Sequence, residues 1–464
     1  MSEHTPSDTY AEHSAIEEIR EENKMGYAPI TKLIFSMSLP IMISMLVQAL
    51  YNIVDSIFVS RLGEDALSAV SLAFPVQNIM IAVGTGTAVG VNAVLSRALG
   101  EKNYKMANKA ANNALFLAVC STLVFVIFGL FFTRPYFEAL TDIQTIIDYG
   151  VEYTEIVTVV SIGLFGAIMC ERLLTSTGRT IYTMVTQLTG AITNIILDPI
   201  LIFGYFGFPK LGMAGAAIAT VAGQILATIL GLILNIRLNH EIKLSVKEMK
   251  PDGHIIGRIY QVGVPSIVMA SIGSVMNFFM NKILLGFTST ATAVFGAYFK
   301  LQSFVFMPVF GMNNGVVPIV AYNYGARNKD RIIETRRKAI IYAMALMLVG
   351  FAVFQLIPQV LLGMFNPSEE MLRIGVPAMR AISYSFLLAA FSIVTISVCQ
   401  ALGKGTYGLY LSLIRQLFVL LPAAWLLSKT GNLNLVWLAF PIAELAALLL
   451  SIYFNKRVMK VIEI

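Results

Sequence analysis

Charged side chains are scarce in this sequence. They make up 13% of its 464 residues, whereas 57% of the residues are hydrophobic and the mean hydropathy is +0.74. A soluble domain carries about 25% charged residues. The deficit lies in repeated runs of roughly twenty or more apolar residues, and a run of that length crosses a bilayer as an α-helix. The composition excludes an ordinary soluble domain and predicts a polytopic membrane protein.

Residues that carry redox, metal or nucleotide chemistry are also few. The three cysteines lie inside apolar runs, so we expect buried thiols and neither a disulfide framework nor a metal site: Cys120, Cys170 and Cys399. The four histidines lie outside these runs, which disfavours a histidine proton relay: His4, His13, His240 and His254. No H-E-x-x-H motif and no P-loop occur. We therefore predict no enzyme, no resident cofactor and no ATP-driven pump.

An acidic tail precedes twelve apolar spans. The first 28 residues include the polar stretch EHSAIEEIREENK and are expected to form a cytoplasmic tail. They do not form a signal peptide, which needs a basic start and an apolar centre. The predicted transmembrane helices lie at 30–61, 68–97, 109–133, 148–177, 181–207, 213–237, 258–286, 292–322, 338–363, 372–402, 406–428 and 433–455.

Loop charges orient these spans. The loop 97–109 holds four basic residues against one acid, and 327–338 holds six against two. The loop 134–155, in contrast, holds one basic residue against five acids. Basic loops lie in the cytoplasm, which predicts that both termini are cytoplasmic and that the protein is integral to the plasma membrane. Because the net charge of +6 lies mainly in such short loops, we expect membrane lipids and no nucleic acid as partners.

The two halves of the chain repeat each other. A shift of 225 residues pairs identical residues of unusual type: Pro40 with Pro265, Asn52 with Asn277, Gln77 with Gln302, Gly86 with Gly311, and Gly90 with Gly315. Each half has six spans, so both halves enter the membrane from the same side, as in several transporter folds. This predicts two pseudo-two-fold-related six-helix bundles around a central cavity. The expected parts are a tail at 1–28, a lobe at 29–237, a cytoplasmic linker at 238–257 and a lobe at 258–464.

Two aspartates lie within apolar spans of the first half. An aspartate at the bilayer centre costs about 2.5–3.5 kcal/mol on insertion scales, so such a residue indicates function. Asp55 lies eight residues before Gly63, and Asp198 lies nine residues before Gly207. At 1.5 Å per residue both carboxylates lie about 12–14 Å below the outer ends of their helices. The counting predicts that they share one level. The alternative is that each only satisfies neighbouring polar groups.

Amide and carbonyl oxygens surround these acids in the sequence. Asn194 lies one turn before Asp198 on the same helix face. Pro40 and Pro199 each remove a backbone donor, so they free a carbonyl or let the helix bend. Carboxylate, amide and carbonyl oxygens suit H⁺ or Na⁺, and two nearby carboxylates titrate as a unit. We predict a cation-coupling site on Asp55 and Asp198, with Na⁺ as a possible metal.

These segments resemble the multidrug and toxic compound extrusion (MATE) family of twelve-helix exporters. The resemblance lies in SLPIMISMLVQALYNIVDSIFVSRLG, in NIILDPILIFG and in GMAGAAIATVAGQ. It implies a cation site in the first lobe with Asp55, Asn194 and Asp198 as ligands, Thr220 as a supporting hydroxyl and Pro40 at a helix bend. Where the family often has an Asn–Asn pair, this chain has Glu171 and Arg172. Glu171 is therefore a further candidate acid at that site, and the choice between H⁺ and Na⁺ stays open.

Three functions compete at this point. The first is a monomeric antiporter that exports small amphipathic, often cationic compounds in exchange for H⁺ or Na⁺. The second is a lipid or lipid-linked sugar flippase of the same superfamily, which is expected to line its cavity with several cations such as Lys300 and Arg415. The third is an intramembrane aspartyl protease on the two aspartates, disfavoured because its G-x-G-D context is absent. A pairing of Lys300 with Glu444 across helices is also expected.

Overall fold

The computed structural model describes residues 23–365 and 367–462. Within them, eleven single helices and one bent pair are long and apolar enough to cross a bilayer. The first lobe comprises α1 (Ile30–Ser60), α2 (Glu64–Gly100), α3 (Tyr104–Phe131), α4 (Gln144–Val159 and Ile162–Ser176), α5 (Thr180–Phe203) and α6 (Met213–Leu238). The second lobe comprises α7 (Gly253–Leu285), α8 (Ser289–Gly325), α9 (Lys329–Leu356), α10 (Glu369–Ala401), α11 (Gly405–Ser428) and α12 (Leu433–Val436 and Ala439–Ile462).

The predicted all-helical architecture with twelve spans is confirmed, although α4 is not one straight helix. Its two parts meet at an angle of 45°. Ser161 and Gly163 lie at the break, and Ser and Gly are residues at which helices commonly kink. A Cβ on Gly163 would lie 3.0 Å from the backbone nitrogen of Ile225. The missing side chain thus lets α4 approach α6 closely.

The sequence repeat produces the same turn in both lobes. After α2 the chain reverses at Lys102, with φ of 56°, and after α8 it reverses at Arg327, with φ of 55°. Asn103 then caps α3 by accepting a hydrogen bond from Met106 N at 3.0 Å. Asn328 caps α9 in the same way. The segments LGEKN and YGARN therefore have one local structure, which supports the internal repeat.

Both ends of the described chain lie at one face of the helix bundle, here called the terminal face. Arg331, at the start of α9, donates hydrogen bonds to the carbonyl groups of Met25 and Ala28. Arg336, one turn further along α9, donates to Asn455 near the end of α12. The face on the other side of the bundle is called the opposite face. It contains the turns that follow α1 and α5.

The two lobes contact each other through two pairs of crossing helices. In one pair α2 packs on α7, and in the other α8 packs on α1. A Cβ on Gly90 would overlap the carbonyl oxygen of Ile259, and one on Gly315 would lie 2.6 Å from Ser38 Oγ. These crossings are related by the 225-residue shift. Only glycine allows so close an approach at both sites.

The lobes also meet through a third helix pair, α2 with α8, at the terminal face. A Cβ on Gly100 would overlap the carbonyl oxygen of Tyr322, and a Cβ on Gly325 would overlap that of Arg97. Because both contacts join backbone to backbone, the ends of α2 and α8 leave no room for a passage between them. The lobes are therefore closed against each other at the terminal face.

The segments outside the spans also pack on this face. Residues 1–22 of the predicted tail lie outside the described residues, but 23–28 contain the short helix Lys24–Tyr27, and Met25 is fully buried. Between α6 and α7, the chain lies against α3. Asn112 Nδ2 donates to the carbonyl group of Lys243 at 3.0 Å, and Asn112 Oδ1 accepts from Ser245 N at 2.9 Å.

Candidate cation site and central cavity

The structure brings the two intramembrane aspartates together. Asp55 on α1 and Asp198 on α5 have their carboxyl groups within hydrogen-bonding distance of each other. Asp198 is fully buried, and one oxygen atom of each group, Oδ1, is buried without a hydrogen-bond partner among the described residues. Neither acid forms an ion pair with a described basic residue. Two ionised carboxylates in contact repel each other, so this arrangement requires a proton or a small cation between them.

Asn194 and Thr220 form a chain of hydrogen bonds that ends at Asp198. In the amide orientation that satisfies all its neighbours, Asn194 Nδ2 donates to Asp198 Oδ2 at 3.0 Å. Its Oδ1 atom accepts from both the backbone nitrogen and the hydroxyl group of Thr220, each at 3.1 Å. Thr220 belongs to α6, so this chain of hydrogen bonds fixes the Asp198 carboxylate relative to two helices.

Two tyrosines and a glutamine complete the surroundings, and the sequence analysis missed them. Tyr51 lies one turn before Asp55 on α1, and Tyr153 belongs to the first part of α4. Both lie close enough to interact electrostatically with the two carboxylates. Gln77 of α2 donates to the hydroxyl group of Tyr153 at 2.9 Å. The spacing of Tyr51 from Asp55 was the one available signal.

The prolines of α1 and α5 leave both helices continuous. Pro40 cannot donate to the carbonyl group of Ser36 one turn earlier. The hydroxyl group of Thr180 on α5 donates to that carbonyl group instead, at 3.1 Å. Pro199 directly follows Asp198 and likewise withdraws the helical donor from the carbonyl group of Ile195. α5 still continues to Phe203.

The structure does not bring Glu171 to the aspartate pair. Its Oε2 atom accepts a hydrogen bond from Gln187 Nε2 at 2.8 Å. Gln187 precedes Asp198 by eleven residues on α5, roughly 16 Å along a helix at 1.5 Å per residue. Within the described residues, no three His, Cys, Asp or Glu side chains are grouped as metal ligands. A cation at the pair would therefore complete its coordination with amide and carbonyl oxygens.

A cavity of about 570 Å³ lies between the lobes. Most of its wall belongs to α7, α8, α10, α11 and α12, and α1, α2 and α4 supply the rest. Three charged residues line it: Arg172, Arg415 and Glu444. Arg415 Nη1 lies 3.1 Å from Glu444 Oε1. The prediction that Glu444 pairs with Lys300 was wrong. Glu444 pairs with Arg415 instead, and Lys300 is exposed and does not line this cavity.

The local form of α11 aims two of its residues into the cavity. The segment Ile414–Leu420 is a π-helix, which is rare and often occurs at functional sites. Arg415 and Gln416 both lie in this segment and both line the cavity. The wider π-helical turn was not predictable from the apolar pattern, because hydropathy does not distinguish it from an α-helical turn.

Comparison with known proteins assigns the chain to a family. The MatE family model matches it twice, over residues 40–200 and 265–426, which together exceed half of the chain. The chain belongs to the MatE family. The two matches begin 225 residues apart, which equals the shift found in the sequence repeat. The predicted family is confirmed, and the chain is an integral multi-pass membrane protein.

Similar curated proteins cover the chain almost completely. Multidrug export protein MepA of Staphylococcus haemolyticus (strain JCSC1435) is 26% identical over 425 residues, which are 91% of this chain and 93% of that protein. MepA of Staphylococcus aureus (strain NCTC 8325 / PS 47) is 25% identical over 435 residues, 93% of this chain and 95% of that protein.

Solved structures of MATE transporters share this fold. One is described as the outward-facing conformation of a multidrug resistance MATE family transporter of the MOP superfamily. It is 24% identical to this chain and has a TM-score of 0.89, and the alignment covers 96% of this chain and 99% of the other. A MATE structure in a bent conformation has 24% identity, coverages of 94% and 96%, and a TM-score of 0.87. At this identity the likeness concerns the fold alone.

Proposed function

We propose that this chain is an antiporter that exports amphipathic, often cationic organic compounds in exchange for H⁺ or Na⁺. The contact between Asp55 and Asp198 carries the proposal. Two carboxylates held together in a membrane-spanning bundle bind a positive species strongly when enclosed and release it when water enters. The multidrug export proteins named above, which are similar over nearly the whole chain, support export as the direction of transport.

The sidedness follows from the loop charges. The terminal face carries the basic loops 97–109 and 327–338, so it corresponds to the cytoplasm under the positive-inside rule. Closure of the lobes at that face then corresponds to an outward-facing state. In our proposal the cation binds at the pair from outside and the compound leaves the cavity there. The lobes then rock and release the cation inside, and the return step carries the next compound outward. One elementary charge moving through 100 mV supplies about 2.3 kcal/mol for this work.

Purified protein in liposomes tests the proposal. We expect an imposed H⁺ or Na⁺ gradient to drive a cationic dye across the membrane. Neutralising one acid, in Asp55→Asn or Asp198→Asn, should reduce gradient-driven transport to the level of empty liposomes. The variant no longer has the pair of carboxylates that binds and releases the coupling cation. Transport at the wild-type rate in both variants contradicts the proposal.

Glu155→Gln is the matched control for these variants. Glu155 belongs to α4, two residues after Tyr153, but it is exposed on the outer side of that helix. The Glu155→Gln variant should therefore transport the dye at the wild-type rate. The insertion of each variant is checked by its elution as a single species in detergent, which separates a loss of coupling from a loss of fold.

The flippase alternative has less support. It requires a cavity with several free cations, whereas Arg415 is paired with Glu444 and Lys300 lies outside the cavity. A monomer suffices for the proposed exchange, since a single chain supplies the carboxylate pair, the cavity and the closed terminal face. We therefore propose a monomeric transporter with both termini in the cytoplasm.

A further inference from the structure

The charges on the cavity wall do not balance. Three charged side chains line it, two guanidinium groups and one carboxylate. Arg415 and Glu444 neutralise each other in an ion pair of 3.1 Å. Arg172 remains, and no described carboxylate lies within ion-pair distance of it. The wall therefore has an excess of one positive charge, at Arg172.

The neighbouring acid, Glu171, interacts electrostatically with Arg172 but forms no ion pair with it within the described residues. Glu171 and Arg172 are adjacent on α4, but they point to different sides of the helix. Glu171 turns towards α5, where its carboxylate accepts a hydrogen bond from Gln187. Arg172 turns towards α8, where its Nη1 atom lies 3.5 Å from Asn314 Oδ1. This is the one side-chain hydrogen bond of the guanidinium group within the described residues, and Arg172 lines the cavity.

Two buried amides of the same cavity wall have at least one atom without a hydrogen-bond partner among the described residues. Asn92 is fully buried, and its Oδ1 atom accepts hydrogen bonds from Ser96 and Ser176, which leaves its Nδ2 atom unpaired. Asn313 is 5% exposed, and neither its Nδ2 nor its Oδ1 atom has a partner among the described residues. Both amides line the cavity.

Arg172, Asn92 and Asn313 line one cavity. Asn92 and Arg172 are also linked through Ser176, whose hydroxyl oxygen lies 2.9 Å from Asn92 Oδ1 and 2.7 Å from the backbone carbonyl oxygen of Arg172. Asn313 belongs to α8, the helix that contacts the Arg172 side chain through Asn314. Buried polar groups without partners are costly, so these groups are expected to meet a polar group of a ligand.

We propose that Arg172, with Asn92 and Asn313, binds an anionic group of the transported compound. Among the amphipathic compounds that the cavity accepts, those that also carry a carboxylate, sulfonate or phosphonate, including zwitterions, would therefore bind more tightly than the same compounds without that group. A planar guanidinium group binds such an oxyanion through two parallel hydrogen bonds. The apolar body of the compound would lie on the phenylalanine and methionine side chains of the wall, which include Phe306, Phe440 and Met269.

This inference rests on the proposed function, since it takes the cavity as the place where the exported compound binds. Its test is nevertheless independent of transport. Tetramethylrhodamine has a free carboxylate, and tetramethylrhodamine ethyl ester is the same dye with that charge removed. Binding of each dye to the full-length protein in detergent is measured at equilibrium by fluorescence polarisation, with no ion gradient. A failure of ion-driven transport therefore leaves this measurement valid.

We expect the wild-type protein to bind the free acid about tenfold more tightly than the ester, the size of one charge-assisted hydrogen-bonded contact. Arg172→Gln should abolish this preference, because it lowers the affinity for the free acid and leaves the affinity for the ester unchanged. Arg172→Lys, which keeps the charge but loses the planar fork, should retain part of it. Arg380→Gln removes an exposed arginine of α10 outside the cavity and should leave both affinities unchanged.

Two outcomes overturn the inference. One is a ratio of acid to ester affinity that stays the same in Arg172→Gln. The other is an equal loss of affinity for both dyes, which would mean that Arg172 only holds α4 against α8. Asn314→Ala, which removes the 3.5 Å contact but no charge, should keep the preference for the acid.

Discussion

At the scale of single residues, the hydroxyl group of Thr180 takes the place of a hydrogen bond that the backbone cannot make. Pro40 leaves the carbonyl group of Ser36 without its helical donor, and Thr180 of α5 supplies one at 3.1 Å. The contact joins α1 to α5, the two helices that carry Asp55 and Asp198. It therefore helps to fix the relative position of the two acids.

Thr180→Val should destabilise the fold by about 1 kcal/mol, because it leaves the carbonyl group of Ser36 without a hydrogen-bond donor. In a Pro40→Ala background the backbone donor is restored, so the same substitution should cost much less. Thermal unfolding in detergent of the two single variants and the double variant measures this coupling.

Thr189→Val is the control for that cycle. Thr189 is half-buried, and its hydroxyl group bonds to the carbonyl group of Val185 in its own helix, so its loss should be nearly neutral. Equal costs for Thr180→Val with and without Pro40 would mean that the hydroxyl group does not compensate for the proline.

Counting along the helices was enough to predict that Asp55 and Asp198 lie at one level, since their depth depends only on the rise per residue, but not that their side chains face each other. Asn194 followed from the helical repeat. The partners of Glu171 and Glu444 did not, because they depend on how helices rotate against each other. Glu444 pairs with Arg415 rather than Lys300, and no spacing within α12 indicates this.

At the scale of helices, glycine decides where the lobes touch. On α2 the side of the helix facing α7 carries Gly86 and Gly90, and on α8 the side facing α1 carries Gly311 and Gly315. Each glycine lacks a Cβ at a point where the backbone or a side chain of the partner helix lies against it. Surfaces this close are either in contact or separated, so they are suited to a transition between two states.

Gly90→Ala should push α2 away from α7 and open the terminal face. Spin labels at Lys105 and Asp330, exposed residues of α3 and α9 that the repeat makes equivalent, would report the opening. In double electron–electron resonance measurements, we expect the distance between the two labels to be longer in the variant than in the wild type. An unchanged distance distribution would count against the role of this crossing.

Gly296→Ala is the control on α8. Nothing lies within 4 Å of a Cβ at Gly296, which is exposed. Its label distances should not change, and the fold should gain up to about 1 kcal/mol, because alanine is a better helix former than glycine.

The apolar pattern predicted the number and order of the spans but not their ends. α9 begins at Lys329, whereas hydropathy placed its start at 338, because the first turns of this helix are charged and extend beyond the bilayer core. The break in α4 and the π-helix in α11 were also missed. All three features depend on local backbone geometry and on packing partners, which an average over a window of residues does not record.

At the scale of the whole molecule, residues 23–28 join the two lobes. Asn23 Nδ2 donates to the carbonyl group of Thr177 in the first lobe and to Glu241 after α6. The carbonyl group of Met25 accepts from Asn323 and Arg331 in the second lobe, each at 3.0 Å. The segment thus spans the closed terminal face.

Removing residues 1–28 should weaken that closure. A truncation of residues 1–22, which keeps every contact described for Asn23 and Met25, is the matched control. We expect longer distances between labels at Lys105 and Asp330 in the longer truncation only, measured as for the glycine variants. If the two truncations behave alike, residues 23–28 do not hold the lobes together.

The internal duplication has kept its scaffold in both copies, but the chemistry has diverged. Under the 225-residue shift the glycine crossings recur, whereas Asp55 corresponds to Met280 and Asp198 to Ala423. Arg172 corresponds to Ser397 in the same way. Most of the cavity wall nevertheless belongs to the second copy, so substitutions there can alter what the cavity binds while the acids of the first copy remain unaltered. New cargo specificities can arise along this lineage without rebuilding the machinery that powers them.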